Sequence, residues 1–182
     1  MKRTDARVRY TQKVLKEALL VLLQDKPINK ITVKEICDLA ELNRATFYTH
    51  YRDCFDLLES MERELVEEFR KSMELIHAYD VSALTEAIYG IAEKHQAVCR
   101  VLVFGNNSTS VLDKMIDLAH DKSLAYWRTE LHGASEEELE MLYIHLSNGL
   151  LHVFVEGYGR YDKADVIRFM NRIVASSLAL FR

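Results

Sequence analysis

Six glycines and a single proline in 182 residues limit this chain more tightly than any other feature. Ordinary proteins hold roughly 12% of the two together, and an all-β fold needs both residues for its bends. The predicted fold class is therefore all-α. Apolar residues make up 49% of the chain, enough to fill a real core, and the length suits one or two small domains. No apolar run reaches the roughly 18 residues of a membrane span, and MKRTDARVRY has basic residues without an apolar stretch behind them. Neither a membrane segment nor a secretion signal is expected, and the expected location is cytoplasmic. Cys37, Cys54 and Cys99 match neither a zinc cage nor a redox pair and are expected to be buried thiols.

Charge is divided unevenly. Residues 1 to 52 hold 11 lysines and arginines against 6 carboxylates, whereas residues 53 to 182 hold 13 against 22. A basic third on an acidic body points to a polyanionic partner for that third alone.

The apolar pattern divides the chain into about nine helices. Val14, Leu15, Ala18, Leu19 and Leu22 recur at helical spacing from Thr11 to Asp25, and Pro27 sits where a helix must stop. Thr32 and Glu35 then form a capping box, with Ile31 and Ile36 as its hydrophobic staple, so a second helix begins at Val33 and runs to about Ala40. Asn43 caps a third helix, with Leu42 and Phe47 in the same staple relation. Asp53 caps a long fourth, carried by Phe55, Leu57, Leu58, Met61, Leu65 and Phe69. Further breaks are expected at Tyr79-Asp80, Gly105-Asn106-Asn107, His132-Gly133-Ala134 and Gly157 to Asp162. Ser135 and Glu138 repeat the capping box ahead of a helix that is apolar on more than one side. A last helix, Lys163 to Arg182, gathers Val166, Phe169, Met170, Ile173, Val174, Ser177, Leu178 and Phe181 on one face.

Residues 42 to 51, LNRATFYTHY, contain no carboxylate. With Arg44 set at zero and about 100° per residue, Phe47 and Tyr51 share one side while Ala45, Thr46 and Thr49 share the other. Phe47 and Tyr51 are the expected anchors. Small and hydroxylated residues on the outer side approach base edges closely, and an Asp or Glu there would face phosphates. Arg44, Tyr48, His50 and Arg52 stand at the rim, within reach of backbone oxygens, as do the amides after Thr32. Two helices joined through Glu41-Leu42-Asn43 have the layout of a helix-turn-helix.

ITVKEICDLAELNRATFYTHYRDCFDLL, residues 31 to 58, resembles the DNA-binding motif of the TetR family of bacterial transcriptional regulators, and the likeness extends over roughly residues 8 to 60. The resemblance implies an N-terminal helix-turn-helix domain over 1–52. It implies a helical effector-binding and dimerisation domain over 53–182, with helix 53–77 connecting the two. It also implies that Thr46 and Thr49 read bases, that Tyr48 and His50 hold phosphates, and that Thr32, Val33 and Lys34 dock on the DNA backbone. Asn43, Arg44 and Ala45 complete the expected DNA-binding set. Glu41 stands where the family usually has Gly, making a positive-φ turn harder, and Cys54 where it often has Lys, which removes one phosphate contact. The arm residues Lys2, Arg3, Arg7 and Arg9 are further candidates for phosphate or minor-groove contact. Within the penultimate helix, NGLLHVFVEGYG is similar to regulators linked to dihydroxyacetone kinase genes.

The function implied is a ligand-responsive repressor that binds a palindromic operator in double-stranded DNA as a homodimer. An alternative is a co-regulator of the same fold acting through a partner protein. His95, Cys99, Phe104, Met115, Trp127, Tyr143 and His145 are the candidate walls of a site for a small-molecule effector, chosen as polar-tipped or adaptable side chains on apolar helices. Leu150, Phe154, Phe169, Ile173 and Ser177 are the candidate dimer contacts. No GxSxG, P-loop or HExxH run is present, so no enzyme is expected, and neither a metal site nor a cofactor is called for.

Overall fold

A computed structural model describes residues 3–75, 81–105 and 111–182. Among them there are nine α-helices and no strand: α1 Arg3–Asp25, α2 Val33–Leu39, α3 Arg44–Tyr48, α4 Cys54–Leu75, α5 Val81–Lys94, α6 Gln96–Leu102, α7 Val111–Glu130, α8 Glu136–Gly157 and α9 Lys163–Leu178. Short 3-10 turns occupy Ile28–Lys30 and Ala179–Phe181. The breaks expected at Tyr79-Asp80 and Asn106-Asn107 lie outside the described residues, as does Lys2. The first helix starts at Arg3, well before the expected Thr11, so the arm residues Arg3, Arg7 and Arg9 lie on it. Arg7 and Arg9 are exposed on its first turns. No helix among the described residues is long and apolar enough to cross a membrane.

The chain divides into two compact units, Met1–Glu64 with Gln96–Thr109, and Leu65–His95 with Ser110–Arg182. The unit that holds the helix-turn-helix is thus larger than residues 1–52: it takes in the first turns of α4 and all of α6. Its core is Leu15, Leu19, Ile36, Phe47, Leu57, Met61 and Leu102, none more than 1% exposed. Val101 and Leu102 supply α6's share of that core. A Cβ on Gly105 would lie 2.5 Å from the Val101 carbonyl oxygen, so only glycine permits the chain to leave α6 in this way. Phe55, expected in the α4 stripe, is 55% exposed. Leu57, Met61, Leu65, Phe69 and Met73 at strict four-residue spacing carry the buried face without it.

In the second unit, α7, α8 and α9 meet around Leu124, Trp127, Leu131, Leu139, Tyr143 and Val174. Along α9 the buried ladder is Val166, Met170, Val174 and Leu178. Phe169 and Ile173, expected on that same face, stand 50% and 39% exposed beside it. On α8, Met141 and Ile144 are exposed on the side opposite the buried Leu142 and Leu146.

Candidate nucleic-acid interface

Local hydrogen bonds fix the backbone of the interface. The Thr32 hydroxyl accepts from the Glu35 amide at 3.3 Å and the Glu35 carboxylate accepts from the Thr32 amide at 2.9 Å, closing the capping box that starts α2. Lys26 also pairs with Glu35. With the Lys26 ammonium first and then the Thr32 hydroxyl and amide as donors, the Glu35 carboxyl is held at about 2. Ile31 and Ile36 pack in the core as the staple.

α2 ends in a Schellman turn. The Leu42 amide donates to the Cys37 carbonyl at 2.9 Å and the Glu41 amide to the Asp38 carbonyl at 3.4 Å, while Leu42 packs against the core. The residue between Ala40 and Leu42 has to be left-handed for this to close, and Glu41 has φ of 53°. It is a carboxylate side chain where the turn favours glycine.

α3 follows, capped by Asn43, whose Oδ1 accepts from the Thr46 amide at 2.7 Å and from the Thr46 hydroxyl at 3.0 Å. Phe47 is fully buried and Tyr51 is 7% exposed, their rings 5.9 Å apart. Burial raises the Tyr51 phenol above its usual range. On the other side Arg44, Ala45, Tyr48 and Thr49 are exposed, and Thr46 and His50 half-buried. The Tyr48 ring stands edge-on to Phe47 at 5.6 Å, which props an otherwise 57% exposed side chain. The Thr49 hydroxyl donates to the Thr46 carbonyl at 2.6 Å. Both threonine protons are therefore held by the protein. Thr32 and Lys34 are exposed at the start of α2, with Val33 half-buried.

Cys54 is only 5% exposed, and burial raises its thiol. The position points into the core of the unit, so the residue that fills it is a matter of packing before it is one of phosphate contact.

The effector candidates are scattered. Cys99 and Phe104 belong to α6 and the segment after it, in the unit of the helix-turn-helix. His95 Nε2 lies 2.8 Å from Glu68 Oε2, Trp127 is core at 1% exposure, and His145 is exposed. Only Met115 and Tyr143 border the partly open cavity of about 80 Å³ in the second unit, with Thr85, Ile88, Ala119 and Phe154 among its other walls. Polar side-chain tips do not mark those walls, because the cavity is almost wholly apolar. Two dimer candidates also move: Phe154 is 3% exposed, its ring 5.1 Å from Tyr89, and Leu150 borders the cavity. α8 is apolar on two sides, and spacing alone does not say which side is inward. Ser177 is half-buried and bonds the Ile173 carbonyl.

No family model matches the chain. An uncharacterized HTH-type transcriptional regulator of Bacillus subtilis (strain 168), YxbF, is 30% identical over 106 residues, 58% of this chain and 26% of the relative. The chain therefore matches about a quarter of that curated relative's length. Among solved structures, a TetR transcriptional regulator from Streptococcus agalactiae 2603V superposes with a TM-score of 0.69 at 19% identity, covering 94% of this chain and 97% of that one. The chain has the fold of the TetR-family transcriptional regulators. The same TetR fold relates it to the dihydroxyacetone kinase operon activator DhaS, with a TM-score of 0.58 at 19% identity over 94% of this chain and 96% of that one.

Proposed function

We propose that the protein is a TetR-family regulator that binds a palindromic operator in double-stranded DNA as a homodimer, represses transcription from it, and is released by a small molecule held in the second unit. One observation carries this reading: Phe47 and Tyr51 anchor α3 from behind while Arg44, Ala45, Tyr48 and Thr49 stand exposed on an acid-free segment. Threonine methyls suit thymine, and lone pairs on hydroxyls whose protons are already donated within the protein suit the exocyclic amines of adenine and cytosine. Arg44, Tyr48, His50 and Lys34 reach phosphates at the rim.

A homodimer is supported by the apolar surface of Met141 and Ile144 on α8 and Phe169 and Ile173 on α9, each at least 39% exposed. Two copies place two reading helices about one DNA turn, roughly 34 Å, apart on a palindrome. The effector reading is supported by the cavity behind Tyr143.

The test is recovery and sequencing of the DNA that the purified protein selects from its own genome. A palindromic consensus upholds the reading; fragments without a common sequence overturn it. Because DhaS is named an activator, the sign is measured separately. Deleting the gene should raise transcription from the selected promoter, and a fall would mean activation.

A further inference from the structure

The walls of the cavity in the second unit restrict what it accepts. Among the described residues its lining contains no charged side chain, and the polar ones, Thr85, Tyr143 and Ser147, are hydroxyls. Each has its proton occupied: Thr85 donates to the Val81 carbonyl at 2.7 Å, Tyr143 to the Ile116 carbonyl, and Ser147 to the Ile144 carbonyl at 3.5 Å. A carboxylate, phosphate or ammonium entering there would lose its hydration and find no partner of opposite charge among these walls. The volume of about 80 Å³ is roughly half that of an apolar cavity known to accept benzene. Two walls can yield, since Met115 and Met170 are unbranched and adaptable.

We propose that this cavity is a binding site for a small uncharged apolar molecule, one substituted benzene ring or a short hydrocarbon chain in size. The proposal rests on the reading of the second unit as effector-responsive only for its regulatory meaning. Water is a poor occupant of such a site and an apolar ligand a good one, because dispersion and the burial of apolar surface are the attractions these walls offer. A ligand hydroxyl is the one polar group the site meets, by donating to the Tyr143 or Thr85 oxygen.

The experiment uses the full chain, with toluene as the probe and benzoate and benzylamine as charged analogues of the same shape. Binding is read from the methionine methyl resonances of Met115 and Met170 and from the melting temperature. Toluene is expected to shift both resonances and raise the melting temperature by a few degrees, and the charged analogues to do neither. Ala119→Leu and Ser147→Leu fill the cavity from two sides, so each variant that keeps the wild-type helical signal should bind toluene at least about ten-fold more weakly. Charged analogues that bind as well as toluene, toluene that binds the filled variants unchanged, or no response to toluene up to its solubility would each overturn the proposal. The same titration is repeated on the protein bound to its selected DNA fragment. Toluene binding that changes DNA affinity upholds both readings. Binding with DNA affinity unchanged upholds the ligand class and overturns the effector reading.

Discussion

At the residue scale, two side chains carry opposite kinds of information. Glu41 occupies a left-handed conformation, φ 53°, which costs a side-chain-bearing residue roughly 1–2 kcal/mol relative to the right-handed region. Glu41→Gly removes that strain at some expense in unfolded-chain entropy. It should stabilise the protein by about 1 kcal/mol, read as an upward shift of the urea midpoint without a change in slope; a lowered midpoint would mean that the Glu41 side chain makes a contact worth more than the strain. Thr49 is the informative residue for recognition. Its hydroxyl donates to the Thr46 carbonyl, so the methyl is the group most available to thymine. Thr49→Val keeps that methyl and should hold affinity at thymine-containing sites, whereas Thr49→Ser should lose about 1 kcal/mol there. Competition binding on fragments with thymine or uracil at the contacted position checks it, since uracil lacks the methyl and should erase the difference between the variants.

At the element scale, caps decide where α2 and α3 begin, and caps respond to pH. The Glu35 carboxyl sits at about 2 in the folded chain against an ordinary 4.5. A lowered folded value means that its contribution to stability is complete above pH 4.5 and is lost as pH falls towards 2. Glu35→Gln keeps a reciprocal side-chain bond to Thr32 but has no proton to take up. Its unfolding free energy should therefore fall less steeply than the wild type's between about pH 5 and 2 in urea titrations. His120 behaves in the opposite sense. It bridges Glu140 and Asp121 at 2.9 Å each, bonds that raise its value above 6.5, so the stability it contributes is complete below pH 6.5 and disappears as pH rises through the raised value. NMR titration of the His120 ring should show a midpoint above 6.5, and a midpoint at or below it would contradict the pairing of α7 with α8 through this residue.

The same scale explains what the amino-acid sequence made legible. Thr32 with Glu35, Asn43 with Thr46 and Ser135 with Glu138 act over three residues, so their helix starts could be found from spacing alone, and each cap is present. The anchoring side of α3 was legible for the same reason. The placement of α6 was not, because Val101 and Leu102 bury against α1 and its neighbours, far away in the chain. Nor was the cavity, whose walls come from α4, α5, α7, α8 and α9 and are ordinary core residue types. Polarity marked candidates such as Trp127 and His145, but what makes a cavity wall is the absence of a neighbour, and no residue type encodes that.

At the scale of the whole molecule, the proposed dimer depends on surface that the single chain leaves apolar. Ile144→Glu and Phe169→Glu place charges on the exposed sides of α8 and α9, at 60% and 50% exposure in one chain. They should leave each chain folded while shifting sedimentation from dimer to monomer. Dimers unaffected by either charge would move the interface elsewhere. Loss of the dimer should also weaken binding to a full palindrome far more than to a half-site, since only the former needs both reading helices.

The central claim is that the outward side of α3, held by Phe47 and Tyr51, reads operator DNA, and fluorescence anisotropy on the selected fragment tests it most directly. Wild type and a Thr46→Ala, Thr49→Ala double variant are titrated between roughly 50 and 200 mM salt, a range over which phosphate-contacting proteins lose orders of magnitude in affinity. The account predicts a steep, linear fall of log affinity with log salt for both proteins. It also predicts that the wild type's preference for its selected sequence over a scrambled one is lost in the variant. A variant that keeps that preference, or binding indifferent to salt, would contradict it.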